Sequence, residues 1–133
     1  MHDIVSNINT LDDIPIAVNK KISEGELYEH ERGKIVNDLT SYLSIPESKN
    51  WYSGNYTVLN EAVILRPDNR FSRPDRVMIK KDEAIVVDYK FGEIEEPRYK
   101  RQVKLYMNTI SEMGYSNVKG FVFYVKSGKI VPV

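Results

Sequence analysis

Three charged residues stand out because each borders a strand-like segment. Asp75 lies in Arg73-Pro74-Asp75-Arg76, and Asp88 and Lys90 close the apolar run from Glu83 to Lys90. Residues two apart in a strand project to the same face, so Asp88 and Lys90 are expected side by side, roughly 7 Å apart along the chain. Charges at the end of a buried strand are costly unless a metal ion or a substrate phosphate offsets them.

The chemistry that suits this set is metal-dependent phosphodiester hydrolysis. That reaction needs a hydroxide nucleophile near neutral pH and positive charge for the phosphorane oxygens, and a divalent cation supplies both. Magnesium prefers hard oxygen ligands and keeps several waters, so two carboxylates on neighbouring strands form a suitable open site. We therefore predict that Asp75 and Asp88 are metal ligands.

The first part of the chain, residues 1–54, has helical periodicity. Thr10 resembles an N-cap before a helix that Gly25 ends, and a second helix is expected from about Leu27 to Leu43. Trp51 and Tyr52 follow in a short turn or helix, where a core role is favoured over stacking on a base.

From residue 55 onward the pattern changes to strands. Three runs, over residues 56–65, 71–79 and 83–91, predict an antiparallel meander. Pro97 opens a helix to about Met113, a fourth strand spans Val118–Val125, and Lys129–Val133 can pair with it. The expected fold class is α/β with a mixed sheet: an α-β-β-β-α-β core with extra N-terminal helices, in a single domain over 1–133.

Composition bounds the protein class. The 133 residues are 41% hydrophobic and 29% charged, with formal net charge zero and no cysteine, which excludes disulfides and thiolate metal sites. No apolar run approaches the roughly 20 residues of a membrane span, so no membrane partner and a cytoplasmic location are expected. Basic residues near the proposed site indicate either a mixed surface or a phosphate-binding patch: Arg66, Arg70, Arg73, Arg76, Lys80, Lys81, Lys90, Arg98, Lys100, Arg101 and Lys104.

Asp75, Asp88-x-Lys90 and Gln102-x-x-x-Tyr106 together resemble the motif of the PD-(D/E)XK nuclease superfamily. The resemblance is strongest to the RecB-like nuclease domain at the C-terminus of UvrD/Rep-type helicase-nucleases, and it covers almost the whole chain. Asp-x-Lys alone is a weak signal; the preceding Asp and the later Gln-x-x-x-Tyr make it specific. The resemblance implies a restriction-endonuclease-like fold.

The same resemblance implies roles for further residues. Lys90 would hold the attacking water and stabilise negative charge, and the Tyr89 backbone carbonyl would be a further metal ligand. Glu61 would approach the metal, the alternative being an exposed strand glutamate. His2 would be the upstream histidine ligand, the alternative being a poorly ordered terminal residue, whereas His30 is expected on a solvated helix face. The metal would be Mg²⁺, with Mn²⁺ as a substitute.

Gln102 and Tyr106 are four residues apart and so share one helical face. The resemblance implies that they flank the active site and contact DNA or brace catalytic residues; a core role for Tyr106 beside an incidental Gln102 is the alternative. Arg73 and Arg76 contact either phosphates or surface acids, and the sequence favours neither.

The activity implied is that of a Mg²⁺- or Mn²⁺-dependent deoxyribonuclease, an exonuclease rather than an endonuclease, in double-strand-break repair. Single-stranded DNA or duplex ends would be the substrate. A helicase motor domain of the same parent chain and a second helicase-nuclease subunit would be partners. The alternatives are an inert DNA-binding or scaffolding domain that retains the fold, and a stand-alone nuclease.

Overall fold

The protein is mixed α/β, with several helices and a five-stranded mixed sheet. A computed structural model describes residues 2–45, 50–60, 64–65, 71–72 and 74–133. The chain divides into two units, Met1–Asn55 and Tyr56–Val133. The division lies one residue from the change of pattern expected after residue 54.

The first unit is helical. Its helices are α1 (His2–Ser6), α2 (Ile14–Ser23) and α3 (Arg32–Leu43), with short 3-10 turns at Leu11–Asp13, Glu29–Glu31 and Asn50–Tyr52. Both long helices start later than predicted, because a 3-10 turn forms the first part of each expected segment. Helix α2 packs against α3.

Local signals explain where α2 begins. Thr10 is the N-cap of the 3-10 turn, and its backbone N–H donates to Asp13 Oδ2 at 3.0 Å. Pro15 then occupies the first turn of α2, where a missing N–H costs nothing.

The predicted core residues Trp51 and Tyr52 are 7% and 2% exposed, which confirms that they are buried.

The second unit contains the sheet. Its elements are β1 (Thr57–Asn60), β2 (Ile64–Leu65), β3 (Phe71–Ser72), β4 (Arg76–Lys80), β5 (Glu83–Lys90), α4 (Pro97–Glu112), β6 (Asn117–Tyr124) and β7 (Lys129–Pro132). The five-stranded sheet has the order β1-β4-β5-β6-β7. Among the strands that the structure describes, β5 and β6 are the one parallel pair, and α4 connects them. The predicted antiparallel meander and the pairing of the last two strands are confirmed.

One predicted strand is interrupted. The segment expected over residues 71–79 is described as β3 and β4, with Pro74 and Asp75 outside both strands. Proline has no N–H for a strand ladder, and Asp75 forms a bend. Strands β2 and β3 nevertheless pair antiparallel in the same register as β1 and β4.

Helix α4 covers one face of the sheet. A cluster of buried residues, the α4 cluster, lies between them: Val77, Ala84, Val86, Val103, Tyr106, Ile110, Val122 and Tyr124. Strand β5 contributes Ala84 and Val86, so residues of the same parity at its carboxyl end, Asp88 and Lys90, project toward the α4 side. On the other face the Tyr89 ring packs edge-on against Phe123, with centroids 6.3 Å apart.

Candidate functional site

The antiparallel register brings Asp75 and Asp88 together. The β4–β5 ladder ends with the pair of Arg76 and Val87. The next residue beyond this pair is Asp75 on the β4 side and Asp88 on the β5 side. Directly opposed residues share a face, with Cβ atoms about 5 Å apart. Asp75 is 8% exposed and Asp88 is 4% exposed. The two carboxyl groups predicted to act together therefore lie on one face of the sheet.

A hydrogen bond ties Asp75 to the neighbouring strand. The Tyr89 backbone N–H donates to Asp75 Oδ2 at 2.9 Å, just beyond the last ladder pair of β4 with β5. The bend at Asp75 places a side-chain oxygen where the ladder ends. The interruption of the predicted strand at Pro74 is thus what allows Asp75 to reach β5.

The electrostatics of the pair are unfavourable for two ionised carboxylates. The pKa of Asp88 is raised to about 7, first by burial, then by the hydrogen bond with Asp75 and by repulsion from its charge; Lys90 opposes the rise. Two like charges in a poorly solvated site compete for one proton. A positive ion between them would remove that conflict.

Lys90 supplies one positive charge at the site. Its Nζ lies 2.8 Å from Asp88 Oδ2, and the lysine side chain is 25% exposed against 6% for the aspartate. Lys90 and Asp88 are close enough for an ion pair, but their geometry is not that of a hydrogen bond. Among the described residues, the buried Asp88 Oδ2 accepts no hydrogen bond. Two ionised carboxylates and one ammonium together carry a net charge of −1, which a further cation would offset.

The donor set fits a divalent cation that keeps part of its water shell. Asp75 and Asp88 offer carboxylate oxygens from adjacent chain segments, which are suitable ligands for Mg²⁺. No group of three or more His, Cys, Asp or Glu side chains gathers for a metal among the described residues. Glu61 and the His2 side chain, both predicted to assist, lie outside the described residues. The role of the Tyr89 carbonyl stays a prediction.

Helix α4 adds polar groups next to Lys90. Gln102 Nε2 donates to the Tyr106 hydroxyl at 2.9 Å, as expected for residues on one helical face. Tyr106 belongs to the α4 cluster, so its ring is buried. That Gln102 and Tyr106 contact DNA or brace catalytic residues stays a prediction. Gln102 is exposed and lines a pocket of about 630 Å³ together with Lys90.

The rest of this pocket is basic and aromatic. Its other lining residues are Arg98, Tyr99, Arg101 and Leu105. Sequence analysis missed Tyr99, although its position offers a signal: it lies three residues before Gln102 and seven before Tyr106, hence on the same helical face. The pocket opens beside the ammonium of Lys90, and among the described residues none of the side chains that line it is acidic.

Arg76 requires a correction. It was expected to contact phosphates or surface acids, but the side chain is fully buried, at 0% exposure. Arg76 alternates with Asp75 and Val77 along the chain, so it projects to the face opposite the carboxylates. A guanidinium without solvent access cannot bind a phosphate from solution. Arg73, the other predicted arginine, lies outside the described residues.

The basic residues are also less concentrated than the sequence indicated. Lys80 and Lys81 line a separate pocket of about 320 Å³, with Glu83, at the other end of β5. Lys90, Arg98 and Arg101 line the pocket of about 630 Å³, and Lys90 also contacts Asp88. His30 is exposed, as predicted, and stacks on the Tyr28 ring with centroids 5.5 Å apart.

Comparison with known proteins adds no assignment. No protein-family model matches the chain, and no curated protein matches its sequence. Among the described residues, none of the helices has the length and apolar character needed to cross a membrane. Function therefore has to be argued from the geometry of the site.

Proposed function

We propose that this chain is a divalent-metal-dependent nuclease domain that hydrolyses phosphodiester bonds in DNA. The observation that carries the proposal is the buried pair of Asp75 and Asp88, opposed across two chain segments, with Lys90 2.8 Å from Asp88. A purely structural ion pair needs one acid and one base. Here burial and a second buried acid raise the pKa of Asp88, and that arrangement is costly without a cation.

The fold is part of the same proposal. Antiparallel β1, β4 and β5, followed by helix α4 and the parallel strand β6, follow the β-β-β-α-β order of a restriction-endonuclease-like core. The resemblance implies that Asp88 and Lys90 are the reactive residues, and both lie at the carboxyl end of β5, the third strand in this order.

Each residue then has a role. Asp75 and Asp88 would hold the cation through carboxylate oxygens, and the Tyr89 N–H orients Asp75. When bound, Mg²⁺ or Mn²⁺ supplies charge for the phosphorane oxygens and promotes formation of hydroxide. Lys90, partly exposed at the pocket, donates to a phosphate oxygen or to the attacking water and stabilises developing negative charge.

The pocket beside Lys90 accounts for the substrate class. Lys90, Arg98 and Arg101 carry positive charge suited to a nucleic-acid backbone, and Gln102 adds a neutral donor. The chain as a whole has zero net charge, so affinity for DNA from this surface alone is expected to be weak. Delivery of the strand by a helicase motor domain, with a second helicase-nuclease subunit as partner in break repair, remains part of the proposal.

Cleavage of labelled linear single-stranded DNA with Mg²⁺ or Mn²⁺ tests the proposal. Asp88→Ala and Lys90→Ala should each lower the rate by about 100-fold or more, because each removes charge stabilisation from the transition state. Glu83→Ala, on the same strand at its other end, is the matched control and should cleave like wild type. Undiminished cleavage by either site variant would refute the assignment.

A circular substrate and a DNA-binding measurement separate the alternatives. A closed circular single strand resists an exonuclease and is cut by an endonuclease, so degradation of the linear form alone supports exonuclease action. A wild-type protein that binds labelled DNA but cleaves neither form with either metal would support the inert DNA-binding alternative instead.

A further inference from the structure

The ammonium of Lys90 has two neighbours of different kinds. One is the Asp88 carboxylate at 2.8 Å, and the other is the ring of Tyr99, whose centroid lies 4.4 Å from Lys90 Nζ. A cation within about 6 Å of an aromatic face is attracted by the negative charge of the ring face. The predicted catalytic lysine is therefore held between a carboxylate and an aromatic ring.

The ring is itself well anchored. Tyr99 lies in the first turn of α4, two residues after Pro97, and its backbone N–H donates to the Glu96 carbonyl at 3.0 Å. Its partly buried side chain packs against the α4 cluster. Because both the backbone and the packing of Tyr99 are constrained, its ring is a rigid platform for the lysine.

Lys90 needs such a platform more than a shorter residue would. Its backbone is held in the sheet, where the carbonyl accepts a hydrogen bond from Val125 N at 2.9 Å, but four rotatable bonds separate the ammonium from that anchor. Asp88 alone is a poor second anchor, because its carboxylate also faces Asp75. An aromatic face attracts the ammonium without drawing on that carboxylate.

We propose that Tyr99 is a positioning residue, whose ring holds the Lys90 ammonium at the mouth of the pocket beside Asp88. The kinetic consequence of this contact depends on the proposed nuclease function, whereas the contact itself does not. Tyr99 lies outside the Asp75, Asp88-x-Lys90 and Gln102-x-x-x-Tyr106 pattern, so no motif assigns it this role.

Arg98 also lies near the Tyr99 ring and provides a control for its role. Its guanidinium carbon lies 5.2 Å from the same ring centroid, but Arg98 also forms an ion pair with Glu96 and its side chain is 68% exposed. Arg98 thus has its own acidic partner and free access to solvent. Arg98→Ala should leave the Lys90 side chain where it is, which separates an effect of the ring from an effect of local basic charge.

Nuclear magnetic resonance of the metal-free protein tests the contact directly. Protons above an aromatic face are shielded by its ring current, so the Lys90 Hε signals, assigned by their loss in Lys90→Arg, should be shifted upfield in wild type. The shift should persist in Tyr99→Phe and Arg98→Ala and disappear in Tyr99→Leu. Tyr115→Leu, which removes another tyrosine packed against the α4 cluster, is the control and should preserve it.

Kinetics then test the positioning role. Tyr99→Leu should lower kcat about tenfold with little change in KM, as expected for one cation–π contact, and Tyr99→Phe should restore the rate to within about twofold. Replacing Tyr99 with increasingly fluorinated phenylalanines keeps the ring packed while weakening its negative face. This series should lower kcat progressively, even if Tyr99→Leu fails to fold.

The outcomes distinguish this inference from the function on which it rests. Unchanged Lys90 signals in Tyr99→Leu would overturn the positioning role whether or not the protein cleaves DNA, as would a fluorinated series with constant kcat in an active enzyme. The expected shifts in a wild-type protein that cleaves no DNA would support the Tyr99–Lys90 contact and refute the nuclease proposal.

Discussion

The two ends of strand β5 carry the same kinds of residue in different surroundings. At the amino end, Glu83 lies 3.9 Å from Lys119, and Lys80 lies 6.0 Å from the centroid of the Tyr56 ring. At the carboxyl end, Asp88 and Lys90 are 2.8 Å apart. Both ends thus combine an acid, a lysine and a tyrosine beside a pocket.

The ends differ in the burial of their acids. Asp82 lines the amino-end pocket beside Glu83 but is exposed, whereas Asp75 and Asp88 are both buried. The Glu83 side chain is 28% exposed and its lysine partner 54% exposed, so water screens that pair. The Asp88 side chain is only 6% exposed and faces Asp75, which raises its pKa to about 7. Residue type alone therefore does not mark a site; desolvation and cross-strand pairing of like charges do.

The pH dependence of stability should differ most between the ends. A carboxyl whose pKa rises from 3.8 to about 7 on folding binds more protons in the native than in the unfolded state between these values. The contribution of Asp88 to stability is therefore largest at low pH, and it is lost as the pH rises from about 4 to about 7. Urea unfolding of the metal-free protein in chelator, at a series of pH values, measures this slope.

Asp88→Asn should remove that slope, and the matched change at the other end, Glu83→Gln, should keep it. The difference between wild type and Asp88→Asn isolates one carboxyl from all other titrating groups. Equal pH slopes in wild type and Asp88→Asn would mean that Asp88 has no raised pKa in the folded protein. The two ends of β5 would then not differ in their electrostatics.

Metal affinity should show the next largest difference. Removing a carboxylate ligand by Asp75→Ala or Asp88→Ala should weaken Mn²⁺ binding by about 100-fold, at the upper limit of what loss of a supporting residue causes. Isothermal titration near pH 8, where Asp88 is mostly ionised, measures the affinity. Glu83→Ala should bind as wild type does, and undiminished affinity in Asp75→Ala would contradict the proposed site.

A smaller effect is expected where α4 approaches the sheet. Gly120 in β6 lies beside Val86, and a Cβ there would lie 2.7 Å from Val103 Cγ1 and in closer conflict with Met107 Sδ. Gly120→Ala should lower the free energy of unfolding by about 2 kcal/mol and displace α4. Helix α4 carries Tyr99 and Gln102, which lie at the carboxyl end of β5 and not at its amino end. Gly92→Ala, with open space around it, should stay within about 0.5 kcal/mol.

The smallest effect is expected at the amino end. Lys119→Ala breaks only the long, exposed contact with Glu83, so the free energy of unfolding should change by less than about 0.5 kcal/mol. Thermal and urea denaturation both measure this change. A loss well above 1 kcal/mol would show that this end is more tightly coupled to the sheet than its exposure indicates.

Short-range patterns carried most of the predictable fold. The apolar run from Glu83 to Lys90 and Pro97 at the start of α4 are local signals, and the elements that they predicted are present. The helix starts at Ile14 and Arg32 were missed because a 3-10 turn and an α-helical turn differ little in local sequence preference.

Periodicity within one element is enough to predict that Asp88 and Lys90 share a strand face and that Gln102 and Tyr106 share a helix face. Three other relations could be read only from the folded protein: Asp75 lies opposite Asp88, Arg76 is buried, and Tyr99 packs beside Lys90. These relations depend on strand register and helix packing, which sum many weak contacts between distant residues. No local repeat encodes that sum.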